Sequence, residues 1–167
     1  MSSQIEISQI SKRNNLWLEE KLYSIWEDHF ADVPRKNLVL IKFGKGSKRQ
    51  LGSIKWANSN SKIKSALKKL KEDWQIADDK RISIITITKH FQDPAIPDFI
   101  PIATIAHELV HYTHGFHSPL PQIVDHPHRG NIVKKELTRR GLGDVYLNSE
   151  KWLKANWVNY LKAHKAI

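Results

Sequence analysis

Residues 98–115 read DFIPIATIAHELVHYTHG, and this stretch sets the frame for the rest of the chain. Ile102, Ile105, Ala106, Leu109 and Thr113 recur at the three- and four-residue spacing of one helical face. Pro101 falls in the first turn, where a helix leaves its backbone N–H unused, Asp98 stands where a cap is needed, and Gly115 can end the run. The spacing therefore predicts a helix over 98–114. His107, His111 and His114 lie on another face of it. The first two, four residues apart, are separated by only about 40° around the axis, so their imidazoles can converge.

Working outward, Arg81–Thr88 is rich in β-branched residues and reads as the clearest strand. Further upstream, Leu38–Ile41 and Leu51–Trp56 flank the turn-forming Gly44–Ser47 and predict a hairpin. Leu18, Leu22, Ile25, Trp26, His29 and Phe30 predict an amphipathic helix over 14–31, closed before Pro34. A second helix is expected from Ser59 or Asn60, with Ile63, Leu67, Leu70 and Trp74 as its buried stripe. Downstream, Pro119, Pro121 and Pro127 mark a loop that leads to a helix over 131–140, ended by Gly141 and Gly143. Trp152, Trp157 and Tyr160 predict a last helix over 148–165. This order gives an α+β fold, a small and mostly antiparallel sheet with helices around it, in one domain spanning 1–167.

The length of 167 residues suits one core. No apolar run reaches the length of a membrane span, and the polar start lacks the order of a signal peptide. With no cysteine there is no disulfide, thiolate metal site or cysteine nucleophile. A cytoplasmic location is the expectation. The formal net charge of +10 is uneven: Lys42 to Lys71 holds ten basic residues and no acid. Such a run fits either a polyanion or a plain solvated surface. DNA could follow it, with Trp56 and Trp74 stacking on unpaired bases, although buried packing is the commoner role for tryptophans at these spacings.

Six of the nine histidines lie between His107 and His128. The order His-Glu-Leu-Val-His places Glu108 beside the first ligand, displaced enough to address water rather than the ion. Neutral imidazoles favour zinc over magnesium or calcium. A catalytic zinc needs a third protein ligand and an open fourth position. Candidates are His117, at the metzincin offset but with His114 where that pattern needs glycine; Glu136, in the next helix; and His128, at the head of that helix, with His126 close by. A ligand at the head of a helix packed on the first is a rigid arrangement, which favours His128. Glu108 would then act as the general base toward water attacking a peptide bond.

The same residues resemble the SprT-like metallopeptidase domain. Arg81-Ile-Ser-Ile, Asp93-Pro-Ala-Ile-Pro-Asp-Phe and Ala106-His-Glu-Leu-Val-His look like that family's strand, proline turn and active-site helix. His126-Pro-His-Arg-Gly is similar to its third-ligand segment, and Leu51-Gly52-Ser53 to its small-residue signature. The likeness covers roughly 38–145. The family's usual aromatic after the third histidine is replaced by Ile132 or Val133, and the zinc-ribbon tail of some members is missing. The resemblance implies a zincin-like fold, zinc held by His107, His111 and His128, peptide hydrolysis, and substrates on or near DNA. It also implies that the strand near Ile82–Ile87 forms the cleft edge. Two other functions compete. One is a nucleic-acid-binding module whose zinc is structural, closed by His117 or His126. The other is a three-histidine RNA hydrolase of the bacterial YbeY type, using His107, His111 and His117, although such enzymes have glycine where Glu108 stands.

Overall fold

The computed structural model describes residues 11–165. Helix α1 (Asn15–His29) begins where the Asn14 side chain accepts from the Trp17 N–H, and it buries Leu18, Leu22, Ile25 and Trp26 as its spacing predicts. Strands β1 (Val39–Phe43) and β2 (Gly52–Trp56) follow, then two short helices, α2 (Lys64–Lys69) and α3 (Lys71–Ile76), and strand β3 (Ser83–Ile87). Helix α4 (Phe99–Thr113), a loop, α5 (Ile132–Arg139) and α6 (Gly143–Ala163) complete the described residues.

The fold is α+β, but the sheet is mixed rather than mostly antiparallel. Its order is β1-β3-β2, with β1 parallel and β2 antiparallel to β3. The expected hairpin is absent: β3 separates β1 from β2. The reason is burial. β3 carries Ser83, Ile84, Ile85 and Ile87 with almost no exposure on either face, so it belongs in the middle. Lys42 and Lys55 leave β1 and β2 suited to the edges, where charge discourages further pairing. One sheet face, through Ile41, Ile54, Ile85 and Ile87, packs on α1 and α4 in the main core. The other, through Leu38, Leu40, Ile82 and Ile84, is covered by Ile63, Ala66, Leu67, Leu70 and Trp74.

That covering is thinner than the sequence suggests. The predicted single helix is broken at Leu70, and its apolar stripe is only half-buried. Asp98 does not cap α4 either. Its carboxylate is taken by the buried Arg13, which also donates to the carbonyls of Phe91 (3.0 Å), Asp93 (2.9 Å) and Ile96 (2.6 Å). Arg13 thus fixes the proline turn that launches α4. Among the described residues no helix is long and apolar enough to cross a membrane.

Candidate metal centre

Helix α4 is nearly submerged: Ile100, Ala103, Ile105, Ala106, Leu109, Val110 and Tyr112 are all buried. That submersion fixes its rotation, and His107 and Glu108 come to face a cleft of about 520 Å³ beneath β2. Helix α5 lies against α4 through Val133 and Leu137. Its far end is clamped by Arg140, which donates to Asp32 (2.6 Å) and to the His29 carbonyl (2.8 Å). A 3-10 turn over Arg129–Asn131, with Gly130 and Asn131 in the left-handed region, starts α5 and brings His128 over α4.

The imidazoles of His107, His111 and His128 meet there. Nε2 of His128 lies 2.9 Å from Nε2 of His111 and 3.3 Å from Nε2 of His107. All three donor atoms fall within 4.8 Å of one another. Two ligands at about 2.0–2.1 Å from one ion, at a tetrahedral angle, stand roughly 3.3 Å apart, so the trio suits a transition metal of zinc's size. Burial, reinforced by the neighbouring imidazoles, pushes His107 down to about 4 and His111 down to about 3. Both are therefore neutral, with lone pairs available, near neutral pH. Nδ1 of His111 is buried without a hydrogen-bond partner, so packing orients this ring: Phe116 sits edge-on at 6.2 Å and His107 at 4.7 Å.

The other sequence candidates lie elsewhere. Glu136 is bound by Arg139 (2.5 Å) and Arg140 (2.8 Å) and takes no part in the cluster. His126 is exposed and outside it. His114, the residue that caps the end of α4, is buried and lies near Glu136, Arg139 and Arg140 at the end of α5. His117 lines the cleft without joining the trio. It holds a left-handed backbone (φ 49°), fixed because Ser83 Oγ donates to its carbonyl at 2.6 Å. Ser83 in turn accepts from Asn37 (2.9 Å), whose amide oxygen accepts from the Tyr112 hydroxyl (2.7 Å), so a buried polar chain ties this wall to α4 and the sheet.

Glu108 is 4% exposed, and burial pushes its carboxyl up to about 8. A divalent cation beside it would act in the opposite direction. Its carboxylate occupies the space above Gly52. A Cβ placed on Gly52 would lie 2.8 Å from Oε1 of Glu108 and 2.7 Å from the Thr104 methyl. Gly52 is therefore a site residue that motif spacing does not reveal. Tyr146 of α6, stacked on His107 at 6.2 Å, is another; it lies outside the span 148–165 expected for the last helix, which instead begins at Gly143. The strand bordering the cleft is β2, not β3 as expected, because β3 lies inside the sheet.

The basic run is divided as well. Arg49 and Lys55 border the cleft, while Lys42, Lys62 and Lys69 border a separate groove between α1 and α2. Trp56 and Trp74 are half-buried, with Arg81 over the first at 4.4 Å and Lys80 over the second at 5.6 Å. Compared with family models, curated proteins and solved structures, the chain matches none. Its three-imidazole cluster and buried glutamate define a candidate metal centre by geometry alone.

Proposed function

We propose that the chain is a zinc-dependent metallopeptidase of zincin-like, SprT-like type. The observation that carries this reading is the convergence of three imidazoles beside a buried glutamate in a cleft open to solvent. Among the described residues no fourth protein ligand joins them, which favours a catalytic centre over a closed structural one. His117's place outside the trio likewise argues against the RNA-hydrolase arrangement.

Zinc held by His107, His111 and His128 would polarise a carbonyl and make water a better nucleophile. Glu108 takes the proton of the attacking water and returns it to the leaving amine. Gly52 leaves the room that carboxylate needs. The open edge of β2 aligns an extended peptide by main-chain pairing. His117 and Tyr146 offer hydrogen-bond donors on the cleft walls. DNA, if it recruits substrates as the resemblance implies, belongs on the α2 lysines.

Glu108→Gln tests the proposal. It keeps size and polarity but cannot accept the proton, so peptide cleavage should fall by ~10²–10⁴-fold while bound zinc is retained. Cleavage at the wild-type rate by zinc-loaded Glu108→Gln would overturn it.

A further inference from the structure

The alternation of hydrogen bonds along β2 fixes which of its groups face the cleft. The Thr88 N–H donates to the Leu51 carbonyl (2.8 Å) and the Ala57 N–H to the Ile82 carbonyl (2.8 Å). Between them Ser53 pairs with Thr86 and Lys55 with Ile84. In an antiparallel ladder every second residue bonds the same neighbour. Residues 51, 53, 55 and 57 therefore turn their main-chain groups toward β3, whereas Gly52, Ile54 and Trp56 offer theirs to the open edge.

Side-chain direction follows from the same pleat. Gly52 faces Glu108 and Thr104, and Ile54 enters the main core, so Ser53 and Lys55 project from the opposite face. A peptide pairing with Gly52, Ile54 and Trp56 would meet Lys55 in a non-hydrogen-bonded pair, the closer of the two cross-strand geometries.

Charge in the cleft is one-sided. Arg49 and Lys55 border it, Lys55 with its side chain on the sheet face turned away from Glu108, and Glu108 is the one carboxylate among the described lining residues. Glu150 lies near Tyr146, where burial first and then this carboxylate raise the Tyr146 hydroxyl, but it does not line the cleft. Neither Arg49 nor Lys55 is paired with a carboxylate within the described residues, unlike Arg13, Arg81, Arg139 and Arg140. The turn that carries Arg49 is also held in place. Trp157 Nε1 donates to the Lys48 carbonyl (2.8 Å), Thr88 Oγ1 to the Ser47 carbonyl (2.7 Å), and the Gln50 N–H to Ser47 Oγ (3.2 Å). The two cations thus stand on a fixed frame along one edge of the cleft.

We propose that the preferred substrates are peptides with acidic side chains flanking the scissile bond, read by Arg49 and Lys55. This rests on the peptidase reading and adds a substrate class to it. Opposite charges across paired strands attract and like charges repel, so an Asp-bearing peptide gains where a Lys-bearing one loses.

The test uses the full-length, zinc-loaded protein and quenched peptides differing only by Asp, Asn or Lys, scanned through three positions on each side of the cleaved bond. The wild type should favour Asp over Lys in kcat/KM by on the order of tenfold at low salt, with the gap narrowing as salt rises. The Arg49→Glu/Lys55→Glu double variant should invert the order, and the alanine double variant should level it. Each protein is read as the ratio among its own peptides, with circular dichroism and zinc content confirming its fold. Equal cleavage of all peptides by the wild type, or an unchanged order in the charge-reversed variant, would overturn the inference. Fluorescence anisotropy of the same peptides on Glu108→Gln reads the preference as affinity. Equal affinity for Asp and Lys peptides there also overturns it. Absence of cleavage of every peptide by the zinc-loaded wild type, with the affinity preference intact, instead counts against the peptidase reading alone.

Discussion

Gly52→Ala isolates the space that Gly52 leaves for Glu108. The backbone of Gly52 is ordinary strand, so alanine is conformationally welcome and even restricts the unfolded chain, a gain of ~0.4–1 kcal/mol. The obstacle is contact. The new methyl would stand 2.7 Å from the Thr104 methyl, 2.8 Å from Glu108 Oε1 and 3.3 Å from Glu108 Cγ. These neighbours must retreat by at least ~0.5 Å to regain a van der Waals separation. Thr104 resists, because its hydroxyl bonds the Ile100 carbonyl at 3.0 Å. The Glu108 side chain is the softer partner and gives way. Overpacking costs ~1–3 kcal/mol, partly offset by the backbone gain, so the variant folds. A displacement approaching 1 Å in a catalytic group costs on the order of 10²-fold. We therefore expect kcat/KM to fall by on the order of 10²-fold with zinc content unchanged, since the three atoms nearest the new methyl belong to Thr104 and Glu108 and not to a histidine of the trio. The assay is steady-state peptide cleavage by Gly52→Ala, Glu108→Gln and the double variant. Because both act through one carboxylate, their losses should not add. Wild-type kcat in Gly52→Ala, or full additivity in the double variant, would refute the reasoning.

Three further outcomes are expected. Metal analysis should find about one zinc per chain, lost in His107→Ala, His111→Ala and His128→Ala but kept in His117→Ala and His126→Ala; zinc retained by His128→Ala would show that the trio is not the ligand set. Burial raises the Glu136 carboxyl, but hydrogen bonds from Arg139 and Arg140 lower it by more, to a net value below the ordinary 4.5. The stability this contributes is present above pH 4.5 and lost as pH falls through the depressed value, so Glu136→Gln should lower the melting temperature at neutral pH and flatten its acid dependence; parallel melting curves for the two proteins from pH 7 to pH 3 would contradict this. If DNA binds the α2 lysines, reversing Lys64, Lys68 and Lys69 to Glu should weaken binding and flatten its salt dependence, and unchanged affinity would mark them as a solvated surface.

The site was more legible in the sequence than the sheet. His107, Glu108 and His111 lie within two turns of one helix, so local periodicity alone juxtaposes them. His128 is also nearly local, because the helix it introduces is the next one packed on α4. Sheet order depends instead on which strand the whole protein buries. The signal was present in the unbroken apolarity of Ile82–Ile87 set against Lys42 and Lys55, but a turn-like Gly44–Ser47 between two strands points more directly to a hairpin. The Asp98 cap was lost to Arg13, eighty-five positions away, and no local pattern encodes such a partner. The break at Leu70 has no glycine or proline to announce it. Gly52 was visible only as a small residue, because its purpose lies in what stands over it.

The insertion of β3 between β1 and β2 also orders events in time. Val39 pairs with Ser83, forty-four residues later, so as the chain lengthens from its N-terminus neither edge strand has its partner until β3 exists. Long loop closures of this kind are slow relative to helix formation. His107 and His111 follow within one further helix, yet two imidazoles make a weak and promiscuous ligand pair until His128 arrives. If the trio holds a metal as proposed, its full ligand set is thereby deferred until the sheet that borders the cleft has had its full sequence to form. A chain truncated before residue 128 would carry the motif without the centre.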